Sequence, residues 1–422
     1  MKLIKTTLFT SIITLVRIAT NFITCKVVAI ITGPSGLALV GAFVNLITIA
    51  TTFSSGAINT GVVKYTSEYA NDSDKLKKLF STSIKIAFYF SVFIGVLLFI
   101  FAPNLSFMIF KKIVYSGPIR VLGFSMIMFS LNSVLLSILN GLGQVKAFTI
   151  VNAIGNLVGL LLTLTLVFYF KIEGVLYALA IGQSAVFFLT VVLVVKSKWF
   201  SWNYFKQPFN KILAIKLSHF SLMAMVSAIT LPVAQIIIRN MLTAKIGLDS
   251  AGYWQGMMRI SDGYLMLITS SLSIYYLPKL ASLKTNLEIR KEVLNGYKLI
   301  LPVVFFGCCL IYILRIFIIN ILYNDDFLKM EPLFLWQLIG DFFKIAAWIL
   351  SYLMLAKAMV KTFIVTEIVF NSINIILSFY FIEIFNLKGI ALAFALNYLL
   401  YLLTLLFIFR KLLFKKSLST NP

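Results

Sequence analysis

Histidine is almost missing: His219 is the single one in 422 residues, which excludes the multi-histidine sites that hold zinc or copper. Cysteine occurs three times, at Cys25, Cys308 and Cys309, each inside an apolar stretch. Two are sequence neighbours, a poor geometry for an ordinary disulfide, so all three read as small packing residues. Acids are scarce as well, 14 against 37 Lys and Arg, and charged residues of both signs make up only 12% of the chain. No Gly-x-x-x-x-Gly-Lys-Ser/Thr run occurs, which argues against ATP-driven transport by this chain. No polar stretch is long enough to fold as a soluble domain between the apolar blocks.

What is there is hydrophobic: 60% of residues are apolar. They fall into blocks of roughly 20 residues, the length a helix needs to cross a hydrocarbon layer of ~30 Å at 1.5 Å per residue. Spans are expected near 8–31, 37–60, 81–102, 119–140, 147–170, 174–195, 217–242, 252–277, 297–319, 333–356, 363–384 and 389–409. The chain reads as an all-α polytopic membrane protein of about twelve transmembrane helices. The start, Met1–Thr7 followed by an apolar block that continues through Arg17, reads as a retained first helix rather than a cleaved leader.

The formal charge of +23 would suggest nucleic acid in a soluble protein, but the cations sit where a membrane protein needs them. The two ends and the even-numbered connections carry most of them, including Lys64, Lys75, Lys77, Lys78, Lys146, Lys279, Lys284, Lys357 and Lys361. By the positive-inside rule both termini are cytoplasmic. Among the lysines of 197–216 stand Trp199, Trp202, Tyr204 and Phe205; the segment reads as a cytoplasmic linker with rings at headgroup level.

Sliding the chain on itself by 215 residues (389 less 174) pairs Gly41 with Gly256, Lys64 with Lys279, Asn156 with Asn371 and Gly174 with Gly389. One offset serves from the first loop to the last helix. Gly, Lys and Asn at helix ends are informative where matches among Leu, Ile and Val are not. The chain therefore divides into a six-helix lobe over 1–196, the linker 197–216 and a second six-helix lobe over 217–422. An even number of helices per lobe makes the two parallel, a geometry that suits a cleft between bundles.

Polar residues recur at helical spacing inside several spans: Thr10, Thr14, Arg17, Asn21 and Thr24 in the first; Gly41, Asn45, Thr48 and Thr52 in the second; Gln235 and Arg239 in the seventh; Gln255, Arg259 and Asp262 in the eighth; Gln337, Asp341 and Lys344 in the tenth; Glu367, Asn371 and Asn374 in the eleventh. Hydroxyls commonly join membrane helices, but a mid-span charge costs roughly 2.5–3.5 kcal/mol. Arg259 with Asp262 and Asp341 with Lys344 are spaced to neutralise each other. Under the offset, however, Arg239 faces Thr24, Arg259 faces Val44, Asp262 faces Ile47, Asp341 faces Met126 and Glu367 faces Asn152. The scaffold repeats and the charges do not, so these charges point to a ligand or a coupling ion. Pro232 removes a hydrogen bond from the seventh span and is a candidate hinge.

Gly33-Pro34-Ser35-Gly36-Leu37, Gly61-Val62-Val63-Lys64-Tyr65, Leu231-Pro232-Val233-Ala234, Gly252-Tyr253-Trp254-Gln255-Gly256, Tyr276-Leu277-Pro278 and Trp336-Gln337-Leu338-Ile339-Gly340-Asp341 together resemble the Wzx-type polysaccharide flippases, the O-antigen translocases and common-antigen lipid III flippases among them. The resemblance runs over nearly the whole chain. It implies a bacterial inner-membrane transporter of the multidrug/oligosaccharidyl-lipid/polysaccharide superfamily, with two lobes in a MATE-like V. The implied substrate is an undecaprenyl-diphosphate-linked oligosaccharide, moved to the periplasmic leaflet by alternating access.

On that expectation Arg17, Lys26, Arg239 and Arg259 attract the diphosphate, which suits the planar fork of arginine. Asn21, Asn45, Gln235, Gln255, Gln337 and Asn371 line the cavity and bond sugar hydroxyls, and Asp262, Asp341 and Glu367 are candidates for proton or sodium coupling. No cofactor, metal or nucleic acid is expected; the expected partners are the lipid-linked glycan, membrane lipid, a coupling ion and other glycan-assembly membrane proteins. Two rivals remain open. A cation-coupled multidrug exporter fits the scaffold but not the excess of embedded cations, and a glycan polymerase or ligase would need a large external loop. The topology makes its own prediction: alkaline phosphatase fused after Pro422 is inactive and a fluorescent protein fused there is bright, whereas phosphatase activity would place that end outside.

Overall fold

A computed structural model describes residues 2–197 and 199–414; the side chains of residues 2–15, Val145, Gln183, His219, Phe220, Ser271, Ser273, Ile274, Pro278 and Phe414 lie outside the description. The readings of Thr10 and Thr14 therefore fall outside it. In chain order the helices are α1 (Lys2–Ser54), α2 (Asn59–Glu68), α3 (Ser73–Ile100), α4 (Ala102–Phe110), α5 (Ser116–Gly141), α6 (Val145–Val195), α7 (Lys211–Lys245), α8 (Leu248–Ser271), α9 (Leu277–Ser282), α10 (Asn286–Ile313), α11 (Arg315–Leu322), α12 (Phe334–Ala356), α13 (Val360–Phe385), α14 (Leu387–Ile408) and α15 (Arg410–Phe414).

Nine stretches among the described residues are long and apolar enough to cross a membrane. Two of them are double, because α1 is broken by non-helical backbone at Gly33 and α6 by non-helical backbone at Lys171. Helix α8, 24 residues long, carries Asp249, Arg259 and Asp262 and is less apolar than these nine, yet it is long enough to span. Splitting the two and adding α8 gives the twelve spans read from the sequence. The protein is a multi-pass membrane protein.

The repeat reappears in the backbone. Lys171 (φ 49, ψ −128) and Asn386 (φ 52, ψ −135) share one rare conformation, and Gly143 and Ala358 both have positive φ; each pair is 215 apart (386 less 171, 358 less 143). The tightest match is Gly174 with Gly389. A Cβ on Gly174 would lie 2.0 Å from the Leu166 carbonyl oxygen, and one on Gly389 1.9 Å from that of Phe381. Only glycine lets the chain turn so closely over the preceding helix.

One constant offset does not hold throughout. The third helix of each lobe follows an offset of 213: its N-caps are Asp72 and Thr285, and its breaks come at Phe101 and Leu314. The difference arises just before it. After α1 the first lobe breaks at Gly56–Ala57, both with positive φ, and continues into α2; the second lobe instead runs through a π-helical turn, Leu272–Tyr276, into the shorter α9. Connections tolerate such length changes better than packed spans do.

Contacts divide the chain into two compact units, Met1–Ile236 and Ile237–Pro422. The division falls inside α7, which runs helical through Pro232. In the first unit Phe43, Leu98, Ile119, Leu122, Met126 and Leu176 form a core between α1, α3, α5 and α6. Hydroxyls serve the broken backbone: Ser130 donates to the Ser54 carbonyl (2.7 Å) and Asn59 donates to Ser133 Oγ (2.7 Å) beside the Gly56–Ala57 break.

The linker is more firmly held than a headgroup-level strap. The Phe80 ring packs against Trp199, Tyr204 and Phe205, with centroids 5.8, 5.7 and 6.2 Å away. Ser81 and Lys85 donate to the Gln207 carbonyl at 2.5 and 2.7 Å. Only Trp202 of the four rings remains exposed. Leu213 and Leu217 of α7 complete this core with Ile58, Val62 and Leu79.

In the second unit α12 packs on α14 and α10, and α14 on α13. Tyr323 stacks on Phe327 at 4.6 Å and donates to the Gly256 carbonyl at 3.0 Å, which ties the turn before α12 to α8. The close turns give a prediction. Gly174→Ala and Gly389→Ala each lower stability by roughly 1–3 kcal/mol, read as a lower thermal midpoint in detergent, whereas Gly159→Ala, whose Cβ would meet nothing within 4 Å, leaves the midpoint unchanged or higher.

Candidate functional site

Helix α12 presents Gln337, Asp341, Lys344 and Trp348 at spacings of four, three and four, which places them on one face. Hydrocarbon offers nothing to a carboxylate, and Asp341 is completely buried. Its partners come from two helices: Ser261 Oγ donates at 2.5 Å and Tyr264 OH at 2.6 Å from α8, and Gln337 Nε2 at 3.4 Å from one turn back on α12. Three neutral donors thus replace water around one carboxyl group.

Lys344 follows Asp341 by three residues but does not pair with it. Among the described residues no ion pair joins Asp341 to Lys344 or Arg259 to Asp262. The three-residue spacing therefore produces no direct ion pair in either case. The Asp341 oxygens face Ser261, Tyr264 and Gln337, while the Lys344 ammonium sits among rings: 5.0 Å from the Trp348 centroid and 5.9 Å from those of Phe394 and Tyr398 on α14. Asp262 is exposed.

A second cationic centre lies where α7 meets α8. Arg239 is 4% exposed, its Nη2 donates to Gln255 Oε1, and its guanidinium stands 5.5 Å from the Trp254 ring centroid. Its Nε and Nη1 are buried with no hydrogen-bond partner, and so is Nε of Arg259. Leaving a charged donor unmade in a buried site costs at least 1–3 kcal/mol per group, so such donors mark a place where an acceptor is to be supplied. On α13, Asn371 Nδ2 donates to Glu367 Oε2 at 3.2 Å.

Of the sequence-predicted residues the second unit thus joins Arg239 to Gln255, Gln337 to Asp341 and Asn371 to Glu367. Arg17, Asn21, Lys26, Asn45 and Gln235 belong to the first unit. There Arg17 and Asn21 are exposed, Lys26 and Gln235 are half-buried, and Asn45 is buried with Nδ2 unpartnered. Sequence reasoning missed Ser261, Tyr264, Trp348, Phe394 and Tyr398. Trp348 continues the α12 stripe and could have been found by that spacing; Phe394 and Tyr398, one turn apart in an apolar helix, carry no contrast.

No group of three or more His, Cys, Asp or Glu that could hold a metal occurs among the described residues. An apolar groove of 520 Å³ runs between α10 and α12, with Phe305, Cys309, Ile339 and Phe342 in its wall. Its wall is almost wholly apolar; the polar side chains described above gather in the α7–α8 and α8–α12–α14 clusters. Unpartnered guanidinium donors can take an anion, the caged carboxyl can exchange a proton or cation, and ring faces can take apolar C–H surfaces.

Residues 3–284 match the model of a family described as polysaccharide biosynthesis protein. The lipid III flippases of Escherichia coli (strain K12) and Shigella flexneri are each 31% identical over 401 residues, covering 95% of this chain and 96% of theirs. Among solved structures, an inward-facing multidrug resistance MATE transporter of the MOP superfamily superposes with TM-score 0.76 at 13% identity over 95% of both chains. The lipid II flippase MurJ in an inward closed conformation gives 0.74 at 19% identity over 96% of this chain and 87% of its own. With this match over nearly its full length, the chain belongs to the polysaccharide biosynthesis protein family, and its fold is MATE-like.

Proposed function

We propose that the protein is a flippase that carries an undecaprenyl-diphosphate-linked oligosaccharide from the cytoplasmic to the periplasmic leaflet of the bacterial inner membrane by alternating access. The observation that carries the reading is Arg239, a guanidinium buried in a membrane helix with two nitrogens lacking a partner. A diphosphate supplies oxygens for such a fork. The 31% identity to lipid III flippases over nearly the full chain supports the same substrate class, a common-antigen lipid or an O-antigen unit.

In this reading Arg239 and Arg259 take the diphosphate, with Arg17 and Lys26 from the first unit as further cations along its route. Asn21, Asn45, Gln235, Gln255, Gln337 and Asn371 bond glycan hydroxyls. Asp341 is the leading carboxylate for coupling: a proton or sodium ion bound there changes the charge beside Lys344, and Ser261 and Tyr264 carry that change to α8. Glu367 and the exposed Asp262 are further candidates. The chain acts as a transporter, not as a glycosyl transferase.

The multidrug-exporter reading has the fold in its favour, but cationic drugs would meet Arg239 and Arg259 as like charges. The flippase reading makes two predictions. In flippase-deficient cells, Arg239→Ala expressed at normal level lowers surface glycan at least tenfold, about 1.4 kcal/mol, and Arg239→Lys recovers only part because a point charge replaces a fork; near-normal glycan in Arg239→Ala sinks the assignment. Asp341→Asn keeps an acceptor for Ser261 and Tyr264, so the protein folds, yet glycan transport in vesicles no longer responds to an imposed proton or sodium gradient. A response equal to that of the unaltered protein removes Asp341 from coupling.

A further inference from the structure

Lys344 is not explained by a diphosphate hook centred on Arg239. It is 8% exposed, no ion pair involving it occurs among the described residues, and its ammonium is surrounded by the rings of Trp348, Phe394 and Tyr398. Ring faces balance the charge in part but accept none of the three N–H bonds an ammonium can make. A ligand for this place must bring oxygen acceptors, and a C–H surface to lie against aromatic walls.

Charge narrows the choice. Asp341 lies three residues away on the same face of α12 and is felt by the Lys344 charge, so an added anion would meet a carboxylate. Trp348 and Tyr398 are half-buried, which leaves ring surface to be covered. Asn397, next to Tyr398 on α14, is 5% exposed and its Oδ1 has no partner, an acceptor suited to a hydroxyl. Oxygen acceptors, a hydroxyl donor and a C–H face together describe a pyranose.

We propose that Lys344, Trp348, Tyr398 and Asn397 form a glycan subsite that takes one neutral sugar ring, its C–H face on the rings and its hydroxyl oxygens on the ammonium. The inference rests on the flippase reading for the identity of the glycan, and deepens it by separating sugar recognition on α12 and α14 from diphosphate binding on α7 and α8. The cage holds the ammonium in place before the sugar arrives, so little side-chain freedom is lost on binding.

The test uses the purified full-length chain and soluble probes without a lipid. In a variant whose only tryptophan is Trp348, chitotriose shifts Trp348 emission saturably. Lys344→Met weakens that binding about tenfold, Lys344→Arg restores part of it, and inorganic pyrophosphate does not compete. Hydrogen exchange on the unaltered chain reads the same event, as protection by chitotriose of peptides spanning 341–352 and 394–401, should the tryptophan variant not fold. Arg239→Ala keeps chitotriose binding while losing translocation, so failure of the subsite and failure of the flippase reading give different results. Displacement of chitotriose by pyrophosphate overturns the proposal by assigning Lys344 to the diphosphate; glucuronate binding more than tenfold tighter than chitotriose overturns the neutral ring; no response in either measurement overturns the subsite.

Discussion

Hydrocarbon accepts no unpaired backbone N–H or C=O, and the rest of the structure depends on how the chain meets that demand wherever a helix stops. Gly33, Gly56–Ala57, Lys171 and Asn386 interrupt the helices with positive φ, and beside Gly56–Ala57 a side chain takes up the freed backbone. Ser130 reaches both the Ser54 and Ala87 carbonyls, at 2.7 and 3.2 Å. The linker obeys the same demand: its Phe205 and Gln207 carbonyls both accept from Ser81 Oγ. Many of the hydroxyls embedded in the spans therefore belong to the scaffold.

Against that background the groups with unmade bonds stand out. Arg239 and Arg259 carry buried donors that the protein leaves without acceptors, while Asp341 receives three donors. The absence of these charges and that of Lys344 from the first lobe, where Thr24, Val44, Met126 and Phe129 occupy their counterparts, says that the fold does not require them. Charges peculiar to the second unit lie on a repeated frame.

The frame was legible in the sequence because its signals are categorical. Blocks of apolar residues mark spans, and Gly174 and Gly389 mark the same close turn 215 residues apart, since no other residue fits beneath a carbonyl at 2 Å. The two-residue slip in the third helix of each lobe was not legible, because it follows from Leu272–Tyr276 winding as a π-helix, which apolar patterning does not encode. At the site, Arg239 with Gln255 and Gln337 with Asp341 were within reach as charged and amide residues on polar stripes. Spacing alone left open whether Arg259 pairs with Asp262 and Asp341 with Lys344. Spacing cannot see that Ser261 and Tyr264 compete for the carboxylate, or that rings from α14 receive the ammonium.

The claim at the centre is that an anionic lipid-linked glycan, not a cationic drug, crosses the membrane along these donors. Its most direct test is reconstitution of the purified protein into vesicles with a labelled undecaprenyl-diphosphate oligosaccharide placed in one leaflet, followed by the appearance of its sugar to an impermeant reagent on the other side. The account predicts protein-dependent transfer of the glycan and none of an organic cation such as ethidium; transport of the cation with the glycan left in its leaflet would contradict it.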